Sequence, residues 1–220
     1  SLGIGKDGLA GYPLIDVYLT GKELKLAAEV DASVSDFMTT ARLYCSGLNF
    51  TFNPHRMILN KVTDCYLTRE DGERIEIQDD QLYRVVTDLY TGQMLGSVME
   101  MSYGLLKIEP KDKDGNPIEN LENQAIMEGD KELKAWDAIA RYMKSFDDTD
   151  GNGISNVPEY YETTHGRKVV DESRNVIDLV KNPNKFSVMI VGIVLVLILI
   201  IILLVVLIRK LIKKRRRKKK

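Results

Sequence analysis

One segment limits what this chain can fold into. Phe186 to Ile208 is 23 residues long, and 21 of them are Phe, Met, Ile, Leu or Val; Ser187 and Gly192 are the exceptions. As a helix it reaches roughly 34 Å, enough for a hydrocarbon core of about 30 Å. Insertion is favoured by very roughly 10 kcal/mol on a per-residue transfer scale. A buried core helix rarely runs this long without a charge, so the segment reads as a transmembrane helix over 186–208. Arg209, Lys210 and the run Lys213–Lys220 follow the span, whereas only Lys181 and Lys185 stand close before it. Basic flanks stay cytoplasmic, which puts the 209–220 tail inside and residues 1–185 outside, in an extracellular compartment. The tail serves as a stop-transfer anchor or touches anionic lipid of the bilayer. A removable lipid-anchor signal does not end in such a tail.

The rest of the chain must be soluble, and its charge agrees. The 220 residues carry a formal net charge of −1. Residues 186–220 hold ten basic side chains and no acid, so residues 1–185 hold 21 basic and 32 acidic ones. An acidic body is not a nucleic-acid binder along its length. With 44% apolar residues and two cysteines, the composition also excludes disorder, collagen and a disulfide-dense mini-protein. Ser1 opens the chain without Met and without an apolar leader. An outward-facing protein needs an export signal, so an upstream segment is expected.

Local patterns give a coarse map. Leu14–Leu19 reads as a buried strand. Thr20 and Glu23 have the spacing of a capping box and open a helix whose apolar face carries Leu24, Ala27 and Ala28. Asp31 falls next on that face, so a short helix is expected. Leu48, Phe50 and Phe52 alternate with polar residues as in a half-buried strand. Asn53–Arg56 is a turn, Lys61–Leu67 the return strand, and Glu70–Gly72 a second turn before a strand at Arg74–Ile77. A strand at Tyr83–Thr87, a short helix within Tyr90–Tyr103, a strand at Leu105–Ile108 and a turn at Lys111–Pro117 follow. Leu133, Trp136, Ile139, Ala140 and Met143 recur at helical spacing over Glu132–Phe146. Residues 147–185 are polar and read as a stalk. Strands and helices mix without strict βαβ alternation, so the class is α+β.

Two constellations stand out. Asp148, Asp150, Asn152, Gly153 and Glu159 match positions 1, 3, 5, 6 and 12 of an EF-hand-like loop. Ser155 and Pro158 depart from that pattern. The segment is either an extracellular Ca2+ site or a connecting loop. Cys45 and Cys65 are equidistant from His55, so a hairpin turning there brings them face to face. They form either a disulfide, closing a loop that adds about 3 kcal/mol, or two buried thiols.

Three stretches resemble the C-terminal domain of the 5′-nucleotidases, also called bifunctional metallophosphatase/5′-nucleotidases or UDP-sugar hydrolases. They are Val17-Tyr-Leu-Thr-Gly-Lys-Glu-Leu-Lys25, Tyr44-Cys-Ser-Gly-Leu-Asn-Phe-Thr-Phe52 and Gln81-Leu-Tyr-Arg-Val-Val-Thr87. They follow the family order of strand, Gly-x-x-Leu helix, Ser-Gly-Leu-x-Phe strand and Tyr-x-Val-x-Thr strand. Membrane-anchored bacterial members look most similar. The resemblance implies a substrate-binding domain over 1–146. In that family an N-terminal metallophosphatase domain holds two divalent metal ions and hydrolyses a nucleotide or other phosphoester. The chain begins after the family's Asn-Gly-Gly-x-x-Arg segment. His55 and His165 are its only histidines, and both read as surface polar residues. The two-metal site is therefore expected upstream.

The resemblance also implies where the base binds. Nucleotide-specific members sandwich it between two Phe rings. The first position falls on Leu14, with Tyr12 two residues before it. The second lies in a Gly-Gly-Asp-Gly-Phe loop, where this chain has Met94-Leu-Gly-Ser-Val98. Tyr90 or Tyr103 is the ring available instead, and Tyr12 with Tyr103 is the expected lining of the cleft. Loss of that loop keeps a second reading open, a non-enzymatic binding or adhesion module on a membrane stalk.

Overall fold

A computed structural model describes residues 3–102 and 106–218. Strand β1 (Leu14–Thr20) runs into helix α1 (Gly21–Val34). Strands β2 (Leu48–Phe52), β3 (Val62–Thr68), β4 (Arg74–Glu76) and β5 (Leu82–Asp88) follow, then α2 (Leu89–Met101). A two-residue pair, β6 (Met127–Glu128) and β7 (Lys131–Glu132), precedes α3 (Ala135–Lys144). The chain ends with β8 (Lys168–Val170), α4 (Val176–Val180) and α5 (Lys185–Lys218). The class is α+β. β1 pairs antiparallel with β5, and a second sheet has the order β4-β3-β2-β8, in which β8 runs parallel to β2.

Helix α1 lies between the two sheets. Leu24 and Ala27 pack toward β1 and β5 with Leu19, Tyr83, Val85 and Ile108. Ala28 and Ala32 pack toward Phe50, Phe52, Val62 and Cys65 of the second sheet. A helix covered on two sides must bury polar positions as well, and each needs a partner. Asp31, expected to end the helix, is only 3% exposed and lies inside it. Its carboxylate accepts the Leu43 N–H at 2.8 Å and pairs with Lys168 Nζ at 2.7 Å. Helix α1 therefore runs 14 residues rather than stopping short.

The capping box forms as expected. Thr20 Oγ1 accepts the Glu23 N–H at 3.3 Å, and Glu23 Oε2 accepts the Thr20 N–H at 2.8 Å. Glu23 does more than cap. Its Oε1 accepts the Glu109 N–H at 3.1 Å and meets Lys111 Nζ at 2.6 Å. Gly21 is required for the same junction, because a Cβ there would lie 2.1 Å from the Gln78 carbonyl oxygen.

Other expectations shift. β7 and its buried neighbours occupy the start of the segment expected as a helix from Glu132, so α3 begins at Ala135. Residues 106–108 form no strand; Leu106 and Ile108 are core residues in irregular chain, and Leu105 lies outside the described residues. The second half of the 147–185 segment, expected as a stalk, contacts the domain. β8 extends the second sheet, Asn53 Nδ2 donates to the Ser173 carbonyl at 2.7 Å, and Arg56 donates to the carbonyls of Asp178 and Lys181 at 2.5 and 2.6 Å.

Asn184 then caps α5, its Oδ1 accepting the N–H groups of Phe186 and Ser187 at 3.1 and 3.0 Å. Phe186 is buried with Val30, Ala41 and Leu106. Beyond it α5 leaves the domain, and its apolar side chains from Val191 to Ile212 are exposed. By length and composition α5 is a candidate membrane span.

Burial works against the Glu23 carboxylate, but Lys111, the Thr20 amide and hydroxyl, and the Glu109 amide outweigh it and hold its pKa below the ordinary 4.5. A lowered carboxyl pKa adds stability above the unfolded value, which is lost as pH falls through the folded one. Glu23→Ala is expected to cost about 2–4 kcal/mol at neutral pH, by removing the cap and leaving Lys111 unpaired. The difference between variant and parent shrinks below pH about 4. Denaturant melts of the detergent-solubilised chain at pH 7 and pH 3 check both.

Candidate functional site

Tyr12, Leu14 and Tyr90, three of the four residues singled out for substrate binding, lie at one end of the first sheet. Antiparallel pairing sets Leu14 opposite Asp88. Tyr12, just before that end, and Tyr90, just after it, are therefore neighbours. Their rings lie 5.5 Å apart, tilted by 39°. Asp88 holds the start of α2, its carboxylate accepting the Thr91 N–H at 3.0 Å and the Thr91 hydroxyl at 2.7 Å. Tyr90 is thus fixed on a capped helix and remains 44% exposed. Leu14 is half-buried in the strand; its N–H donates to the Leu133 carbonyl at 2.8 Å, and its own carbonyl accepts from Ile126 at 2.8 Å. Tyr103 lies outside the described residues. The Met94–Val98 stretch, matched to a family loop, is part of α2.

A cleft of about 220 Å³ adjoins this pair, lined in part by Gly5, Gly11, Tyr12, Leu89, Gln93 and Glu132. Its wall is electrostatically built. Lys134, 1% exposed, pairs with Glu132 at 2.6 Å and Asp7 at 3.1 Å. Burial opposes the charge on Asp7, but the amides of Leu9 and Glu132 and the Lys134 ammonium hold its pKa down. Burial likewise opposes the Lys134 charge, and the two carboxylates still raise its pKa. These two ion pairs pin the glycine-rich 3–11 segment beside the cleft. A Cβ at Gly5 would lie 2.2 Å from Lys134 Nζ. Nothing in sequence spacing links Asp7 to Lys134, and this triad escaped sequence reasoning. Trp136 also holds the 3–11 segment, its Nε1 donating to the Ala10 carbonyl at 3.0 Å.

Chemically, the site offers aromatic faces and buried charge. A planar base stacks on such faces. Among the described residues no three His, Cys, Asp or Glu side chains gather to hold a metal ion.

The side chains at the EF-hand-like spacing bond within their own loop. Asp148 turns into its own loop, accepting the N–H groups of Gly151 at 2.8 Å and Gly153 at 2.8 Å. These amides lower its pKa, the Gly153 N–H most. Asp150 accepts from Asn152, and Glu159 opens a separate helical turn. Cys45 and Cys65 are free thiols. The hairpin does not turn about His55; the register sets Cys65 opposite Phe50 and Leu48 opposite Leu67, so Cys45 precedes the paired segment. His165 stacks on Tyr160 at 3.9 Å.

Residues 10–102 match the family model described as 5′-nucleotidase, C-terminal domain. The match covers less than half of the chain. It contains β1 to α2, including Tyr12, Leu14 and Tyr90. Among solved structures, the 5′-nucleotidase precursor from Thermus thermophilus is 19% identical, with a TM-score of 0.47 over 74% of this chain and 26% of its own. The NAD nucleotidase of Haemophilus influenzae is 21% identical, with a TM-score of 0.33 over 46% of this chain and 19% of its own. The chain thus spans about a quarter of the length of the T. thermophilus protein. No curated protein matches it.

Burial raises the Cys65 thiol to about 12. At pH 8 its alkylation is expected to be slower than that of the unfolded chain by about 100-fold or more, because only the thiolate reacts. Timed iodoacetamide labelling read by peptide mass spectrometry checks this, and both thiols label on denaturation.

Proposed function

We propose that this chain is the substrate-binding C-terminal part of a metal-dependent 5′-nucleotidase or related phosphoesterase held at a membrane surface. The match over residues 10–102 carries the reading. Hydrolysis then belongs to a partner metallophosphatase domain outside residues 1–220, with two divalent metal ions supplying the water activation. This chain offers its substrate-facing end. Tyr12 and Tyr90 stack on the base or sugar side of the substrate, and the Asp7–Lys134–Glu132 triad fixes the segment that carries Tyr12.

Localisation follows from α5. The helix crosses the bilayer, its basic end lies in the cytoplasm, and the domain works outside on nucleotides or other soluble phosphoesters. The acidic body suits neither DNA nor RNA as a partner.

The helical Met94–Val98 stretch favours one alternative, a binding module that has given up the base-sandwich loop. Kinetics of the full-length protein with its upstream domain separate the two. AMP and UDP-glucose are expected to be cleaved only with added divalent metal. Tyr12→Ala combined with Tyr90→Ala is expected to raise KM by about 10-fold, with a smaller change in kcat, since stacking binds ground and transition states alike. Hydrolysis that ignores both rings contradicts their role. No hydrolysis with the upstream domain intact favours the binding module.

A further inference from the structure

A larger cavity, of about 520 Å³, lies away from the tyrosine pair, between α1, β3 and the chain entering α5. Its position is unusual. Part of the rim is Asn182, Asn184, Lys185 and Phe186. The apolar run begins at Phe186, so on the membrane reading of α5 this rim stands at the level of lipid headgroups. Phe186 is 4% exposed and packed into the domain, so the cavity and the span move as one body.

The lining is two-sided. Leu26, Val62 and Phe186 supply apolar surface, and Lys22, Lys25 and Lys185 supply positive charge. Three carboxylates also line it, but each is already engaged. Glu29 accepts the N–H groups of Lys61 and Val62 at 2.6 and 2.9 Å. Asp64 and Glu76 are both held by Arg74, at 2.9 and 2.7 Å. Lys25 pairs with Asp79 at 2.7 Å. Among the described residues no carboxylate lies within ion-pair distance of Lys22 or Lys185. Both are exposed, and Lys185 Nζ lies 4.7 Å over the Phe186 ring. Two cations at the mouth of an amphipathic cavity, in a body otherwise acidic, define a preference for an anion with an attached apolar portion.

We infer that this cavity seats the phosphate-bearing headgroup of an anionic phospholipid, with Lys22 and Lys185 on the phosphate and Phe186, Leu26 and Val62 against the glycerol end. Such a lipid fixes the height and tilt of the domain on the bilayer. The inference rests on the membrane reading of α5 and is independent of the nucleotidase reading.

The test uses the full chain in detergent, loaded with phosphatidylglycerol or phosphatidylcholine and examined by native mass spectrometry. To separate the basic tail, the run 213–220 is changed to Gln in every sample. Phosphatidylglycerol is expected to be retained over phosphatidylcholine, and Lys22→Gln with Lys185→Gln is expected to lower its retention by about 10-fold. Both side chains are exposed, so the thermal melt of the double variant should match its parent; if it does not, the single Lys185→Gln variant serves, with a loss of about threefold or more expected. Equal retention by variant and parent overturns the inference. Displacement of the lipid by millimolar glycerol phosphate or inorganic phosphate also overturns it, and assigns the cavity to a soluble phosphoester. Alkaline carbonate extraction of membranes separates the two levels. A chain that washes off fails the membrane reading and the lipid site together; a chain that stays but retains lipid indifferently fails the site alone.

Discussion

Three buried carboxylates on one helix hold this domain together. Glu23, Glu29 and Asp31 of α1 each leave the solvent and each accept a backbone N–H from a different connection: Glu109, Lys61 with Val62, and Leu43. The faces of α1 turned toward the two sheets leave these three side chains no water to meet, whereas Lys22 on the same helix stays exposed. Every one is hydrogen-bonded instead, and two are also paired with lysines, Lys111 and Lys168. Loops that would otherwise be tethered only at their ends are thereby attached to the centre of the fold. Ser33 extends the arrangement, donating to Glu29 and accepting the Leu59 N–H.

The same helix joins the domain to the candidate span. Lys168, the partner of Asp31, begins β8, which closes the edge of the second sheet. The loop fixed by Glu29 and Ser33 contains Leu59, whose carbonyl accepts from the Asn184 side chain that caps α5. Arg56 and Asn53, from the β2–β3 connection, grip the carbonyls of 173, 178 and 181. The route from core to α5 is therefore a run of hydrogen bonds rather than a loose tether.

What was legible in the sequence was local or strictly periodic. The Thr20–Glu23 capping box, the β2–β3 hairpin, β5 and the apolar run of α5 each declare themselves within a few residues. Motif order also pointed to the family that residues 10–102 match. Asp31 was misleading because periodicity treats a charge as a surface marker, and here the facing loop and Lys168 convert it into an anchor. The stalk reading failed to anticipate β8 for a related reason: a three-residue strand so far along the chain from β2 has no local signature, and its partners lie in the core. At the candidate site, Tyr12 and Tyr90 were both visible as residues, but only the β1–β5 register explains why they meet. The Asp7–Lys134–Glu132 triad, spread across the chain, had no signal in spacing at all.

Amide hydrogen exchange reads most directly whether α1 organises the domain through its buried carboxylates. In the full chain the amides of Leu43, Lys61, Val62 and Glu109 lie in irregular chain or at a strand's first residue, where exchange is ordinarily fast. Their bonds to Asp31, Glu29 and Glu23 should make all four slow, and Glu29→Ala should release Lys61 and Val62 while leaving Glu109 protected. Fast exchange at these amides in the unaltered chain would contradict that organisation.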